Sequence, residues 1–188
     1  PNKNLAQATQ SKQPTLVLAD AGYNSRPTLA MTAAGSQNMI SAAWTASQNQ
    51  PFTIFVVGND KGDTGVHTWF DRVGSQGPVF YNNSGTYATY AGTNLSSGVS
   101  HTPNPLVAAA VFNGNSSSNY VSAKTVKAAG PGGSIALTSL TLGSAYNNSN
   151  FLDGKIAEFL VYNGALSTSQ IALILNYLGK KYGITIGS

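Results

Sequence analysis

The chain has 188 residues, of which 41% are hydrophobic and only 9% charged, against roughly 25% charged in an ordinary soluble domain. The net charge of +4 comes from ten basic and six acidic residues, and the basic ones form no run beyond the pair Lys180-Lys181, which argues against a phosphate-tracking stripe and a nucleic-acid partner. The absence of cysteine excludes a disulfide framework and a thiolate metal site, and the absence of an apolar run near the ~18 residues of a membrane span argues against membrane insertion.

This length suits one core, so a single domain over residues 1–188 is expected. Its surface must rest on Asn, Ser, Thr, Gln and Gly, a composition that fits β-proteins working outside cells, on a cell surface or in a virion. The chain opens at Pro1, so any targeting segment is expected to lie outside it.

In chain order, strands are predicted at 15–18 and 28–32, and then at 51–58 (PFTIFVVG), a β-branched and aromatic run bounded by Pro51 and the turn Gly58-Asn59-Asp60. Further strands are predicted at 67–72, 78–82, 86–91, 106–113, 120–123, 139–142 and 155–162. Between them lie turns such as Asn82-Asn83-Ser84-Gly85, Asn113-Gly114-Asn115 and Gly130-Pro131-Gly132-Gly133. Many short strands with turn chemistry between them indicate an all-β antiparallel sandwich. One amphipathic helix closes the chain. Ser167 and Gln170 form a capping box, Ile171, Ile174, Leu175, Leu178 and Tyr182 recur at helical spacing, and Gly183 follows as a stop.

The closing stretch at 151–184 (FLDGKIAEFLVYNGALSTSQIALILNYLGKKYGI) closely resembles the C-terminal signature of concanavalin A-like lectin/glucanase domains of the laminin-G-like type, as found in bacterial and phage proteins. The match rests on Gly154, Ile156, Ala157, Glu158 and Tyr162, then Ala165, Leu166 and Ser167, then Tyr177, Leu178, Lys181, Tyr182 and Gly183. The stretches at 7–16, 25–29, 51–58 and 108–123 look like the family's earlier strands in their usual order. The resemblance implies a jelly-roll fold and a structural hydrogen bond for Glu158. Two departures bear on function: Ala33-Ala34-Gly35 stands where relatives often carry F-D-G, and a single Glu rules out the E-x-D-x-x-E strand of the glucanases.

Glycoside hydrolysis usually needs two carboxylates facing one another across the sugar. Asp153 and Glu158 are five residues apart, so on an uninterrupted strand they point to opposite faces. The turn holding Asp60 and Asp63 is rich in oxygen and glycine, a setting that suits calcium, but a solvated turn is the favoured reading and no cofactor is expected. The aromatic stretch is the more suggestive feature. Trp69, Tyr81, Tyr87 and Tyr90 occur with His67, Asp71, Arg72 and Asn82, flat rings to stack on sugar C–H faces and polar groups to bond hydroxyls. On a regular strand Trp69 and Asp71 share a face, and the mixed polarity of HTWFDR places that strand near an edge or across an open groove. The expected function is non-catalytic carbohydrate binding or adhesion, with a glycan or cell-surface polysaccharide as partner. The alternative is a structural virion module with other virion or surface proteins as partners, and a glycan-cleaving enzyme ranks last.

Overall fold

The computed structural model describes residues 4–62 and 65–188. The strands are β1 (Leu5–Ala6), β2 (Thr15–Asp20), β3 (Arg26–Met31), β4 (Met39–Ser41), β5 (Phe52–Asp60), β6 (His67–Asp71), β7 (Val79–Asn83), β8 (Thr86–Tyr90), β9 (Asn94–Ser100), β10 (Leu106–Phe112), β11 (Ser117–Val121), β12 (Ala128–Gly130), β13 (Thr141–Leu142) and β14 (Gly154–Tyr162), followed by helix α1 (Thr168–Tyr182). They form two seven-stranded antiparallel sheets, ordered β1-β4-β13-β6-β7-β8-β9 and β12-β11-β10-β5-β14-β3-β2. The expected sandwich and closing helix are both present.

Burial explains why β5 and β10 read as unbroken apolar runs. Phe52, Ile54 and Val56 of β5, with Leu106, Ala108, Ala110 and Phe112 of β10, face the first sheet. The intervening Phe55, Val57, Val107, Ala109 and Val111 face α1 on the other side. A strand buried on both faces has no polar side to display, so its pattern is continuous rather than alternating. Four strands escape the sequence pattern. β1, β4 and β12 have three residues or fewer, and β9 (NLSSGVS) has too little apolar character to signal a strand; pairings such as Thr89 with Leu95 and Tyr90 with Asn94 hold it to β8.

Helix α1 begins and ends as its sequence dictates. The Ser167 side chain accepts from the Gln170 backbone N–H, and the Gln170 side chain accepts from the Ser167 N–H in return. At the other end Gly183 takes a left-handed conformation, φ 70°, and its N–H donates to the Gly179 carbonyl. Ile171, Leu175, Leu178 and Tyr182 are buried against β5 and β10, whereas Ile174 sits half-buried at the border of the stripe. Leu175 is fully buried, so Leu175→Ala is expected to cost about 2–3 kcal/mol in a urea melt. An unchanged midpoint would mean that the helix does not dock.

Candidate functional site

The helix covers the outer face of the second sheet, and the outer face of the first sheet bears a polar cleft of about 220 Å³. Its floor is Thr68 of β6 with Val79 and Tyr81 of β7. Cross-strand pairing of Val79 with Tyr90 sets Tyr90 on this face too, near enough to Tyr81 to raise its phenol pKa in addition to the larger effect of burial. Tyr81 donates to Asn94 Oδ1 at 3.1 Å. One wall is the turn after β6, which brings in Gln76; the other is the loop between β13 and β14, which brings in Ala145, Tyr146, Asn147, Ser149 and Asn150.

That second wall is a built loop. Ala145 N–H donates to the Ser149 carbonyl, Asn148 N–H to the Ala145 carbonyl, and Thr68 N–H to the Asn150 carbonyl, which ties the loop to the floor. Asn148 and Asn150 have φ of 56° and 48°, a conformation that Asn tolerates better than most residues. Asn38 braces the loop from below, donating to Ser144 Oγ at 2.8 Å and to Asn148 Oδ1 at 3.1 Å. The side chains of Gln76, Tyr146 and Asn150 make no hydrogen bond among the described residues, so their polar groups are available to a ligand.

Asp71 joins the two walls. Its carboxylate accepts from the backbone N–H groups of Arg72 (2.7 Å) and Gly77 (2.9 Å) on one side and Tyr146 (3.0 Å) on the other. Burial pushes its pKa up to about 6, against the opposing pull of those backbone donors. Asp71 is only 1% exposed, so it positions the walls and does not meet a ligand, a correction to its expected role.

The other expected site residues divide sharply. Tyr81 and Tyr90 lie on the open face. Trp69 is fully buried, in edge-to-face contact with Phe80 (5.4 Å) and Tyr87 (6.0 Å). The register slips between Thr68 and Phe70, and this irregularity turns both Trp69 and Phe70 into the core. Strict alternation, on which Trp69 was expected to face a ligand, does not hold there. Nor is β6 an edge strand: it lies between β13 and β7, with all five residues buried. Tyr87 is also core, its hydroxyl donating to the Thr102 carbonyl. Asn82 is fully buried and closes the turns beside it, donating to the Gly65 carbonyl and accepting from Gly85 N–H. Arg72 spends its guanidinium on the carbonyls of Ser75 (2.9 Å) and Ala136 (3.2 Å).

His67 is buried as well, its Nδ1 3.9 Å from Asp60 Oδ2. His101 Nε2 contacts Asp60 Oδ1 from the other side, so both histidines of the chain converge on one buried carboxylate. Asp60 also accepts from Gly62 N–H (3.2 Å) and Trp69 Nε1–H (3.4 Å). Burial pushes its pKa up, against the attraction of His101. The solvated turn expected around Asp60 is therefore corrected: its carboxylate is an interior group. Asp63 lies outside the described residues, and among those described no cluster of three His, Asp or Glu is arranged to hold a metal.

The strand carrying Asp153 and Glu158 is interrupted too, by a register shift between Ile156 and Glu158. The two carboxylates are drawn to different partners, Asp153 to Lys61 at 3.4 Å and Glu158 to Lys181 at 2.9 Å. Sequence reasoning overlooked the loop at 144–150 (SAYNNSN). Its signal was a tyrosine set in an amide-rich turn, which reads equally well as turn chemistry alone.

Larger hollows lie elsewhere among the described residues. One of about 480 Å³ at the end of the sandwich has Tyr87 as its aromatic, with the hydroxyl already engaged; another, of about 600 Å³, is a shallow depression beside the start of α1; a third, of about 240 Å³, is lined largely by apolar side chains such as Leu16, Leu29, Leu142 and Phe159. Among the described residues no helix is long and apolar enough to cross a membrane.

The architecture is shared with solved structures at low identity. The binding domain of Paraclostridial Mosquitocidal Protein 1 superposes with a TM-score of 0.72 at 14% identity, over 94% of this chain and 48% of that one. Domain 4 of AbnA, an extracellular arabinanase from Geobacillus stearothermophilus, solved with arabinotriose, gives 0.66 at 13%, over 87% of this chain and 81% of that one. The ligand-binding domain of botulinum neurotoxin serotype D, solved with N-acetylneuraminic acid, gives 0.62 at 12%, over 88% and 46%. The chain thus spans about half the length of the first and third of these structures. No curated protein matches its sequence. A family model described as the concanavalin A-like lectin/glucanases superfamily matches residues 21–172, which takes in most of both sheets and the start of α1; with that match and this two-sheet architecture, the chain belongs to the concanavalin A-like lectin/glucanase superfamily.

Proposed function

We propose that this domain binds carbohydrate, without cleaving it, in the cleft on the outer face of the first sheet. The carrying observation is the pairing of two half-exposed rings, Tyr81 and Tyr146, with unengaged amides from Gln76 and Asn150 beside Thr68 and Val79 of the floor. Rings give the C–H face of a sugar something flat to lie on, and amides both donate and accept, as hydroxyls require. At about 220 Å³ the cleft falls below the ~300–1,000 Å³ of drug-sized pockets, which suits one sugar residue rather than an enclosed chain. Solved relatives carrying arabinotriose and N-acetylneuraminic acid support the same reading.

A non-catalytic role is supported by where the carboxylates go. Asp20 pairs with Lys155 at 2.6 Å, Asp60 with the histidines, Asp153 with Lys61 and Glu158 with Lys181, while Asp71 is closed off by backbone donors. Among the described residues none of them lines the cleft, so an acid and base facing one another across a bound sugar have no source there. No metal or other cofactor is part of this proposal. The low charge and the secreted or toxin-borne relatives favour an extracellular, cell-surface or virion setting. A protein-docking role has its own observation: Leu16 and Leu18 are 58% and 75% exposed on the edge strand β2.

The test is a glycan array followed by titration calorimetry. Tyr81→Ala and Tyr146→Ala are each expected to weaken the best array ligand by about 2 kcal/mol, or roughly thirtyfold. Unaltered affinity in both variants would move the site elsewhere on the domain.

A further inference from the structure

The lining of the cleft carries information about which sugars it accepts. Thr68, Gln76, Tyr81, Tyr146, Asn147 and Asn150 are all neutral, and among the described residues no Lys, Arg or His lines the cleft. Arg72, the cation closest in sequence, is turned away and bonded to the carbonyls of Ser75 and Ala136. The charge nearest the walls is the Asp71 carboxylate, behind the backbone N–H of Tyr146. The Tyr81 hydroxyl does not supply a negative charge, since burial and neighbouring Tyr90 hold its phenol above the ordinary range.

On this basis, and resting on the carbohydrate reading above, we infer that the cleft selects neutral sugars and rejects sugars bearing a carboxylate, such as sialic acids. A carboxylate entering the cleft gives up water without gaining a cation, and a partly desolvated charge left unpaired is costly. It also meets the field of Asp71 from behind the wall. A neutral pyranose or furanose loses hydroxyl hydration, but the amides of Gln76 and Asn150 and the Tyr146 hydroxyl replace those bonds. Selectivity of this kind comes from an element that penalises the wrong ligand as much as from contacts to the right one. The overall charge of the domain works in the opposite direction: at +4 it attracts anions at long range, so discrimination against them has to arise within the cleft. Two solved relatives mark the alternatives, one carrying neutral arabinotriose and the other anionic N-acetylneuraminic acid.

The experiment uses matched glycan pairs, each with and without a terminal N-acetylneuraminic acid, measured near 150 mM salt so that long-range attraction is screened over about 8 Å. The neutral member of each pair is expected to bind at least about tenfold more tightly, with that binding reduced by Tyr81→Ala. Asn147→Lys, on an exposed wall position, is expected to narrow the gap by giving the carboxylate a partner. Equal or preferential binding of sialylated glycans, with loss on Tyr81→Ala, would overturn the selectivity while leaving carbohydrate binding intact. Binding of neither member of any pair would overturn the carbohydrate reading itself.

Discussion

Replacing Asp71 with alanine is expected to destabilise the domain by about 4 kcal/mol and to abolish glycan binding at temperatures where the protein is still folded. The carboxylate takes three backbone donors, from Arg72, Gly77 and Tyr146, and each buried donor left without an acceptor costs about 1–3 kcal/mol. Two of the three lie in the turn before β7 and the third in the loop before β14, so the walls of the cleft lose their common tie together. Asp71→Asn keeps one acceptor oxygen and is expected to lose less stability. The two variants therefore separate a wall-positioning role from simple loss of charge.

The same residue sets a pH dependence. With a pKa near 6 in the folded protein, raised by burial from 3.8, Asp71 holds its proton more tightly folded than unfolded. The stabilisation is fully present below the unfolded value, begins to fade as pH rises above it and is lost as pH passes through about 6. Between pH 7 and pH 5 this group alone is expected to make the native state more stable on acidification. Denaturant midpoints recorded across that range should lose this upward contribution in Asp71→Asn. Parallel pH curves for wild type and variant would show that Asp71 does not titrate there.

Legibility in the sequence followed the range of the interactions involved. Helix α1 could be read to the residue, because Ser167, Gln170 and Gly183 act within one turn of where they stand. β5 and β10 could be read because burial on both faces leaves a continuous apolar signature. β9 could not, since its strand character comes from β8 beside it. The placing of Tyr81 and Tyr90 on the open face of the first sheet agrees with the aromatic stretch, whereas Asp71 was given a direct role because nothing local reveals that Gly77 and Tyr146 donate to it. The contact with Tyr146 spans 75 residues of chain. The amides at 144–150 went unread for a further reason: Asn148 and Asn150 serve the backbone geometry of the loop, and that need hides whatever their neighbours offer a ligand.

Trp69 shows how far one irregular pairing can redirect an inference, and its substitution should have the other large effect. Trp69→Ala is expected to cost about 3–5 kcal/mol, a large part of the ~5–15 kcal/mol by which domains are usually stable. The indole packs edge-to-face against the stacked pair Phe80 and Tyr87, and its Nε1–H donates to the buried Asp60 at 3.4 Å. Its far side abuts Gly58, where an added Cβ would approach within 3.0 Å of the ring. Removal also takes one donor from Asp60, a carboxylate already costly to bury. Trp69→Phe retains much of the volume and loses the N–H, and is expected to fall between the two in stability. Because the ring lies on the opposite side of β6 from the cleft floor, Trp69→Phe should bind glycan with wild-type affinity once corrected for the folded fraction. A Trp69→Ala protein with an unchanged melting temperature and no glycan binding would return Trp69 to the ligand-facing role that its strand pattern suggests.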